Sequence, residues 1–561
     1  MKYIIYGINR AAKDFTYIFD DLEILYLTDD TVESDSILWG KYPVRCMEDA
    51  LADSSYDQII ICDFEKTEKE RRLQERGLVY QKDYVYEEDF FAELDEISIP
   101  DNRKIAVWGT GKMCGFLLEN NLPQKVEVFI DTYKRQDVFR GRPVLSPNEI
   151  KDWTQYYIII AVADDCAIRN KLSELGLQEQ IDYIGYEEFL ALPSVLLRKT
   201  LFDRAYYDLK CTTMCNHLEI LADGATRSCC TTFVAQGLEN IFDKNVDELW
   251  NSRLHKILCL STENRTFSFC DKSMCPLFVA KEREEVADSA DGEPYREITP
   301  FPETLSLGYD SSCNLSCITC RKELHYAKGE ELENVNRITD KVIKEYLPHC
   351  KFLIMAGSGE VFASPAYRKV YDSAECHPKY IRLLSNGTLF TPANWERFVK
   401  GKSAKIMLTA SIDAATKETY GMIRQGGNFD ILKKNMEFAS QLRKNGDLCY
   451  FRMNFVVQRE NFREMIPFVE WGQALGVDEI FFTKILNWGT YTSEEFAQIS
   501  MMEPDGVTPK PELKEVLAHP TMKSSIVDMG TIQFAHKIDE VNMVENYYMW
   551  ELEKRGGKIF N

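Results

Sequence analysis

The chain has 561 residues, which is too long for one hydrophobic core and predicts three or four domains. Its 67 basic and 89 acidic residues give a formal net charge of -22 with no basic stripe, which excludes nucleic acid and anionic membranes as expected partners. The start, MKYIIYGINR, lacks the long apolar region of a secretory signal, and no apolar run approaches membrane-spanning length, so we expect a cytoplasmic protein.

The 17 cysteines are unevenly distributed. An odd number spread over this length does not fit a secreted disulfide framework, and clustered cysteines in a reducing compartment more often bind metal. Seven lie between Cys211 and Cys275, and three lie between Cys313 and Cys320. The remaining ones are interpreted as small buried thiols: Cys46, Cys62, Cys114, Cys166, Cys350, Cys376 and Cys449.

The first 195 residues contain the same unit twice, over 1–98 and 99–195. KYIIYGINRAAKDF parallels KIAVWGTGKMCGFL, YDQIIICDF parallels YYIIIAVAD, and Asp29 lies opposite Asp131. The period of about 100 residues is that of a duplicated domain. Each copy begins with an apolar strand, a glycine turn and a helix, followed by a strand that ends in Asp. This order predicts two Rossmann-like α/β repeats.

The second repeat keeps two of the three glycines of a dinucleotide fingerprint, Gly109 and Gly111, with Cys114 at the third position. Asp131 ends the next strand, where a carboxylate can grip a ribose hydroxyl. We expect either a nucleotide site here or a scaffold; the first repeat keeps only Gly7. The second repeat resembles the N-terminal nucleotide-sugar-binding domain of certain sugar acyltransferases.

A small cysteine-rich domain is predicted over 205–280. The alternation in HLEILADGATRSC predicts a hairpin that turns at Asp223-Gly224 and brings the first cysteine pair near the second. Thiolates in this number select zinc or an iron–sulfur cluster. The predicted ligands are Cys211, Cys215, Cys229, Cys230, Cys270 and Cys275.

The same stretch resembles the SPASM/twitch auxiliary iron–sulfur domains. Cys211, Gly224 and Cys229 follow the opening spacing of that family, whereas its dense second half is reduced here to Cys259, Cys270 and Cys275. The resemblance implies one auxiliary [4Fe-4S] cluster, and structural zinc is the alternative.

Strands and helices alternate from Thr304 onward, which predicts a partial (β/α)6 barrel over 300–490. The predicted strands are TLSLGYD, KFLIMAG, YIRLLSNG, KIMLTASID, YFRMNFVVQ and EIFFTKI. Polar groups follow the C-terminal end of each strand in turn. In such barrels the catalytic residues collect at the C-terminal ends of the strands. The groups are Cys313, Cys317 and Cys320; Gly357 to Glu360; Ser385 to Gly387; Ser411 and Asp413; Asn454 and Gln458; and Lys484.

The spacing of CNLSCITC resembles the radical S-adenosylmethionine (SAM) superfamily. Three cysteines on a four-iron cluster leave one iron open for another ligand. The resemblance implies that Cys313, Cys317 and Cys320 hold a [4Fe-4S] cluster whose open iron binds SAM, and that SAM cleavage gives a 5′-deoxyadenosyl radical that abstracts hydrogen. Such a cluster is oxygen-sensitive.

The other site residues follow from the same resemblance. Gly357, Ser358, Gly359 and Glu360 match the motif at the SAM methionine ammonium. Arg424 matches an arginine that meets the SAM carboxylate. The remaining matches, to polar strand ends beside the ribose and carboxylate, are Ser385, Asn386, Ser411 and Asp413. Turn-capping is the alternative for Ser385, Asn386 and Asp413.

These observations predict a multidomain α/β radical SAM enzyme of oxidoreductase or epimerase type, similar to SPASM members found beside surface-carbohydrate genes. Its substrate is expected to be a sugar or nucleotide-sugar, with a peptide as the alternative, and flavodoxin or ferredoxin as electron donor. A non-catalytic tandem Rossmann sensor with structural metal sites is the alternative of another class. The extension 491–561 has no clear motif.

Overall fold

The computed structural model describes most of the chain. The residues outside the description are 33–37, 40, 64–65, 96–99, 101, 112–113, 115–125, 135, 163–164, 186–187, 190–191, 193, 196–208, 231–232, 235–236, 271–274, 280–298, 322, 356, 374–376, 400, 488–490, 504–505, 507 and 533–561. They include Cys376. Within the described part, no helix is both long and apolar enough to cross a membrane.

The protein is a mixed α/β structure with three sheets, and its contacts divide it into two units. The first unit comprises Met1–Lys210, Lys256–Phe269 and Glu285–Glu297. The second comprises Cys211–His255, Cys270–Glu284 and Ile298–Asn561. The cysteine hairpin and the predicted barrel therefore fall in one unit, whereas the five-part division remains a prediction.

The first sheet belongs to the first repeat and has the strand order β3-β4-β2-β1-β5-β6. Its strands are β1 (Lys2–Tyr6), β2 (Glu23–Asp29), β3 (Leu38–Trp39), β4 (Tyr42–Cys46), β5 (Gln58–Ile61) and β6 (Tyr84–Tyr86). Its helices are Arg10–Ile18, Met47–Ala52 and Lys66–Glu75, followed by the 3-10 segment Glu87–Leu94.

The second sheet has the order β12-β11-β7-β8-β10-β9, which is the order of the first sheet when equivalent strands are matched. Its strands are β7 (Lys104–Trp108), β8 (Val126–Ile130), β9 (Val138–Phe139), β10 (Arg142–Leu145), β11 (Tyr156–Ile160) and β12 (Tyr183–Gly185). The turn Pro147–Glu149 and the helix Cys166–Glu174 accompany them.

One glycine in each repeat is required by the same close approach. Gly7 and Gly109 follow the first strand with φ of +149° and +131°. A Cβ would lie 2.1 Å from the carbonyl oxygen of Cys62 at Gly7, and 2.5 Å from that of Ala161 at Gly109. The neighbouring strand ends thus force glycine at both positions. Gly111 has no atom near its Cβ position within 4 Å.

The third sheet contains nine strands in the order β14-β13-β15-β16-β17-β18-β19-β20-β21. All neighbours pair in parallel except the hairpin β13/β14. The strands are β13 (His217–Leu221), β14 (Thr226–Arg227), β15 (Thr304–Gly308), β16 (Phe352–Met355), β17 (Tyr380–Ser385), β18 (Lys405–Ser411), β19 (Leu448–Val457), β20 (Glu479–Lys484) and β21 (Val527–Asp528). The six predicted barrel strands correspond to β15–β20.

The hairpin turns where the sequence predicts, with Gly224 at φ +84°. Its first strand, β13, also pairs in parallel with β15 over His217–Leu221. This pairing extends the barrel sheet, and local sequence patterns contain no signal for it. The cysteine-rich segment is therefore built into the edge of the sheet.

The helices of the second unit pack against one face of this sheet. The longer helices that contribute buried apolar residues to the common core are Gly329–Lys341, Pro365–Asp372, Phe429–Asn445 and Met465–Leu475, and some shorter helices contribute to it as well. Shorter helices are Val246–Trp250, Pro276–Val279, Pro392–Asn394, Lys417–Ile423, Ser493–Ile499 and Pro511–Leu517. The helix Arg253–Glu263 falls mostly in the first unit, which includes Lys256–Phe269. Val342–Tyr346 and Trp395–Val399 are π-helical. The 3-10 segments are Thr213–Cys215, Leu347–His349, Phe462–Glu464 and Pro520–Lys523.

Strands β15–β20 present two different faces. Alternate residues such as Leu305, Leu383, Leu408 and Phe455 are 1% exposed or less and join the helices in one core. The residues between them are mostly half-buried, as the alternation in β17 and β20 shows. We call this second side the inner face.

We predict that Gly109→Ala lowers the free energy of unfolding by about 2 kcal/mol or more, because a Cβ there meets a backbone carbonyl at positive φ. Gly111→Ala is the control, with an expected change below about 0.5 kcal/mol. Scanning calorimetry of the full chain measures both. Equal melting temperatures for the two variants would contradict the packing explanation for Gly109.

Candidate active site

The three clustered cysteines lie on a loop directly after β15. The backbone N–H of Cys313 donates to the carbonyl of His325 at 2.8 Å. Further along, Ser316 N donates to Gln425 O at 3.0 Å, and Ile318 N donates to Ile423 O at 3.1 Å. The loop is thus held by backbone hydrogen bonds at both ends. Cys313 and Cys317 are buried, and Cys320 is half-buried.

Each of the three thiols receives a nitrogen donor from a different side chain. Asn386 Nδ2 lies 3.8 Å from Cys313 Sγ, Arg424 Nη1 lies 3.6 Å from Cys317 Sγ, and Arg321 Nη2 lies 3.5 Å from Cys320 Sγ. Such donors stabilise sulfur in its anionic form, which is the form that binds iron.

Burial acts against these donors, because it disfavours the anionic form of the thiols. It raises the pKa of Cys313 to about 11 and also raises the pKa of Cys317, where the charge of Arg424 acts in the lowering direction. Two guanidiniums and an amide directed at buried sulfur therefore suit a set of thiolates that is neutralised by bound metal. The donor set fits an iron–sulfur cluster.

In the part of the chain that the structure describes, no group of three or more His, Cys, Asp or Glu is arranged to hold one metal ion. A mononuclear zinc site needs all its thiolates about 2.3 Å from one centre. A cluster distributes its cysteines over several irons.

Glu360 joins the loops that follow β16 and β17. Its carboxylate accepts from Ser385 Oγ at 2.8 Å, from Asn386 N at 2.6 Å and from Phe362 N at 3.3 Å. Burial raises the pKa of Glu360 to about 7, and these hydrogen bonds act in the opposite direction. Of the predicted SAM contacts, the structure therefore brings Glu360, Ser385 and Asn386 together.

The two glycines of the GSGE segment differ in their surroundings. A Cβ at Gly359 would lie 2.5 Å from Asp310 O and 2.6 Å from Ser312 O, at the start of the cysteine loop. A Cβ at Gly357 would meet nothing closer than 3.7 Å. Ser358 lies between them, where its Oγ donates to Gly308 O at 3.0 Å. Gly359 is thus the position where close packing against the cysteine loop excludes a side chain.

Asp413 and Arg424 form a buried ion pair behind the cysteines. Arg424 Nη2 lies 2.7 Å from Asp413 Oδ2, and their side chains are 12% and 3% exposed. Asp413 has a φ of 65° after β18 and accepts from Val456 N at 2.8 Å. The guanidinium of Arg424 thus contacts both the carboxylate of Asp413 and the thiol of Cys317. Arg424 Nε is buried and has no hydrogen-bond partner in the described structure.

The other strand-end residues are placed around the same edge. Ser411 ends β18 half-buried and is paired in register with Asn454 of β19. Gln458 is fully buried after β19. Lys484 ends β20 and donates to Gly506 O at 2.8 Å.

Five of the six ligands predicted for the cysteine-rich domain, which we call the middle cysteines, lie close together. Cys211, Cys230, Cys270 and Cys275 all act on the thiol of Cys229, whose pKa is raised first by burial and then by these neighbours. Cys215 is buried as well. Cys259 belongs to the first unit and is buried.

The predicted nucleotide residues have partners within their own repeat. Asp131 accepts from Thr110 Oγ1 at 2.6 Å, from Tyr133 N at 2.8 Å and from Lys134 N at 3.1 Å. The equivalent Asp29 accepts from Lys69 Nζ at 2.5 Å. Nucleotide binding at Gly109, Gly111 and Asp131 therefore stays a prediction.

Sequence reasoning missed two residues at this edge. Arg321 directly follows the last cysteine, and its guanidinium donates to Ser311 O and Ser358 O at 2.5 and 2.7 Å. Glu219 lies on β13, with Oε1 3.9 Å from the Cβ position of Gly357. The basic residue beside the cysteines was a usable signal for Arg321, whereas Glu219 depends on the β13–β15 pairing.

Comparisons with known proteins cover parts of the chain. A family model described as C2185-like, N-terminal, matches residues 101–181, within the second repeat. No curated protein matches the chain.

Several solved structures resemble part of the chain. SuiB from Streptococcus suis bound to precursor peptide SuiA is 14% identical, with 46% of this chain and 47% of that chain covered and a TM-score of 0.25. TYW1 with a lysine–pyruvate adduct bound is 14% identical, with 36% and 69% covered and a TM-score of 0.26. AnSMEcpe with bound AdoMet and Kp18Cys peptide is 20% identical, with 33% and 51% covered and a TM-score of 0.25. The chain thus spans about half the length of SuiB.

We predict that Gly359→Ala loosens the cysteine loop, because its Cβ would meet two carbonyl oxygens. Alkylation of Cys313 and Cys317 in the metal-free protein should become roughly tenfold faster, as expected if local opening is eased by about 1.4 kcal/mol. Mass spectrometry after timed iodoacetamide treatment measures this rate. Gly357→Ala is the matched control and should keep the native rate. Equal rates in both variants would contradict the close contact.

Proposed function

We propose that the chain is a radical SAM enzyme whose [4Fe-4S] cluster is held by Cys313, Cys317 and Cys320. The observation that carries this proposal is the cysteine loop at the carboxyl edge of a parallel sheet, with a separate nitrogen donor on each sulfur. Polar loops at that edge are where such sheets place their chemistry. When bound, the cluster and SAM supply a 5′-deoxyadenosyl radical that abstracts hydrogen.

The surrounding residues have defined tasks in this proposal. Arg424, fixed by Asp413, places positive charge beside the cluster and keeps Nε available for an anionic group of SAM. Glu360, oriented by Ser385 and Asn386, places an acceptor carboxylate at the same edge. Gly359 lets the backbone that carries Glu360 approach the cysteine loop. The segment Gly357 to Glu360 and Ser411 complete the proposed SAM contacts.

The middle cysteines form the proposed auxiliary [4Fe-4S] site. Cys229 has four thiol neighbours in Cys211, Cys230, Cys270 and Cys275, which is enough sulfur for four cluster ligands with one to spare. Cys215, which is buried, is the sixth proposed ligand.

The substrate proposed is a sugar or nucleotide-sugar, with reaction at a carbon–hydrogen bond by an oxidoreductase or epimerase type of chemistry. The two Rossmann-like sheets support a nucleotide-bearing substrate, because this arrangement of strands and glycine turns suits a phosphate at a helix N-terminus. Flavodoxin or ferredoxin is the proposed electron donor.

The first test replaces Cys313, Cys317 and Cys320 together with Ala. We expect the reduced, anaerobically reconstituted variant to lose formation of 5′-deoxyadenosine from SAM, because no ligands remain for the cluster. Liquid chromatography quantifies that product. Cys449→Ala, which changes a thiol outside this loop, is the control and should retain the native rate. A triple variant that still produces 5′-deoxyadenosine at the native rate sinks the proposal.

The second test concerns the auxiliary site. The same triple Cys→Ala variant should retain about four irons and acid-labile sulfide, since the middle cysteines are unchanged. Further replacement of Cys229 and Cys270 with Ala should remove them. Metal and sulfide analysis decides between the alternatives. Stoichiometric zinc without sulfide would replace the auxiliary cluster with a structural zinc site.

A further inference from the structure

The inner face of the third sheet carries polar side chains among apolar ones. On β15, β17 and β18 the residues between the core positions include Ser306, Arg382, Thr409 and Ser411. Nearly all the inner-face residues of β15–β20 are half-buried, whereas their core neighbours are almost completely buried. Close packing would bury both sides. The inner face is therefore accessible to a small molecule.

Arg382 on this face lacks a carboxylate partner. Its guanidinium carbon lies 5.3 Å from the ring centre of Phe352 and 5.9 Å from that of Tyr450. It makes no hydrogen bond or ion pair among the residues that the structure describes, and its Nε is buried without a partner. The chain has 89 acidic residues for 67 basic ones, so a half-buried arginine without a carboxylate is unexpected on composition. Aromatic contacts alone do not satisfy its five N–H donors.

A second arginine lies on the same face, two strands away in the sheet. Arg452 on β19 has its guanidinium carbon 3.8 Å from the ring centre of Phe481, and its Nε donates to Asn454 Oδ1 at 2.8 Å. Its ion pair with Glu479 is long, at 3.4 Å. Burial lowers the pKa of Arg452, and the charge of Arg382 acts in the same direction. The two arginines are thus close enough to repel each other.

Thr409 on β18 lies between the two arginines in the sheet. Thr409 is the register partner of Arg452 on β19. Met407, two residues before Thr409 on β18, is the register partner of Arg382 on β17. The side chain of Thr409 is 3% exposed, and Oγ1 has no hydrogen-bond partner within the described structure. Leaving a buried hydroxyl unpaired costs about 1–3 kcal/mol. An unpaired hydroxyl and two crowded cations at one place all favour the same ligand chemistry.

We infer that Arg382, Thr409 and Arg452 form a receptor for an oxyanion, a carboxylate or phosphate carried by the substrate. A guanidinium is planar and presents its N–H groups in the geometry that carboxylates and phosphates match. Thr409 Oγ1 supplies a further donor. That the anion belongs to the substrate rests on the proposed function, whereas the receptor itself rests only on these three residues.

The position of the receptor limits the distance between the charged group of the substrate and its reacting bond. Arg382 lies three residues before Ser385, and Thr409 lies two residues before Ser411, at the strand ends that face the cysteine loop. At about 3.3 Å per residue, this is roughly 7–10 Å along the strands. The reacting carbon–hydrogen bond of the substrate therefore lies several bonds from its charged group.

The experiment is anaerobic isothermal titration of the full chain at constant ionic strength, with inorganic phosphate, pyrophosphate and succinate as probes. We expect at least one probe to bind, and its identity separates a phosphate-bearing from a carboxylate-bearing substrate. Arg382→Met, which keeps an apolar chain on Phe352 and Tyr450, should weaken that binding at least tenfold. Arg397→Met is the matched control, because Arg397 is exposed and its guanidinium carbon lies 4.9 Å from the centre of the Phe398 ring. This variant should bind the probe as tightly as the native protein does.

Thr409→Val tests the hydroxyl without changing the volume of the side chain, and we expect severalfold weaker binding. It also covers the case in which Arg382→Met fails to fold, which near-ultraviolet circular dichroism detects. The inference is overturned if no probe binds at a concentration on the order of 10 mM, or if the affinity for the probe is unchanged in the folded variants. The reduced, reconstituted native protein is assayed in parallel for cleavage of SAM to 5′-deoxyadenosine. Failure of that cleavage in the native protein would refute the proposed function and leave the anion receptor standing.

Discussion

The organisation of the site depends on the buried charge of Arg424. This guanidinium lies 2.7 Å from the Asp413 carboxylate after β18 and 3.6 Å from Cys317 Sγ in the loop after β15. The backbone around it holds that loop as well, since Ile423 and Gln425 accept from Ile318 and Ser316. A buried cation without compensation costs several kcal/mol, so strand end, cysteine loop and arginine must assemble together. The geometry of the thiols follows from this requirement.

Local patterns predict the parts of the protein whose signal lies within one segment. The apolar runs predict β15–β20, and the Asp223-Gly224 turn predicts the hairpin, because each depends on neighbouring residues. Three cysteines within eight residues predict a shared site for the same reason. The roles of Glu219, Arg382 and Thr409 depend on which strands lie side by side, and a single strand does not specify its neighbours. The distinction between Gly357 and Gly359 also needed atomic contacts.

The two repeats show which of their shared features are structural. Gly7 and Gly109 meet the carbonyls of Cys62 and Ala161 in the same way, and the strand orders agree. The aspartates after the second strand both accept from their own turns, but Asp29 also pairs with Lys69 whereas Asp131 accepts from Thr110. The glycines therefore reflect a packing requirement common to both copies. A difference in binding between them would arise from residues that the two copies do not share, such as Gly111 and the partners of the aspartates.

The parallel pairing of β13 with β15 has a consequence for any shortened form of the protein. A fragment that begins near residue 300 would keep all six barrel strands but would remove the neighbour of β15 over His217–Leu221. The freed N–H and C=O groups of β15 would form an open edge beside the cysteine loop, and such edges recruit strands from other molecules. The hairpin thus protects the first barrel strand from self-association, whether or not its cysteines carry metal.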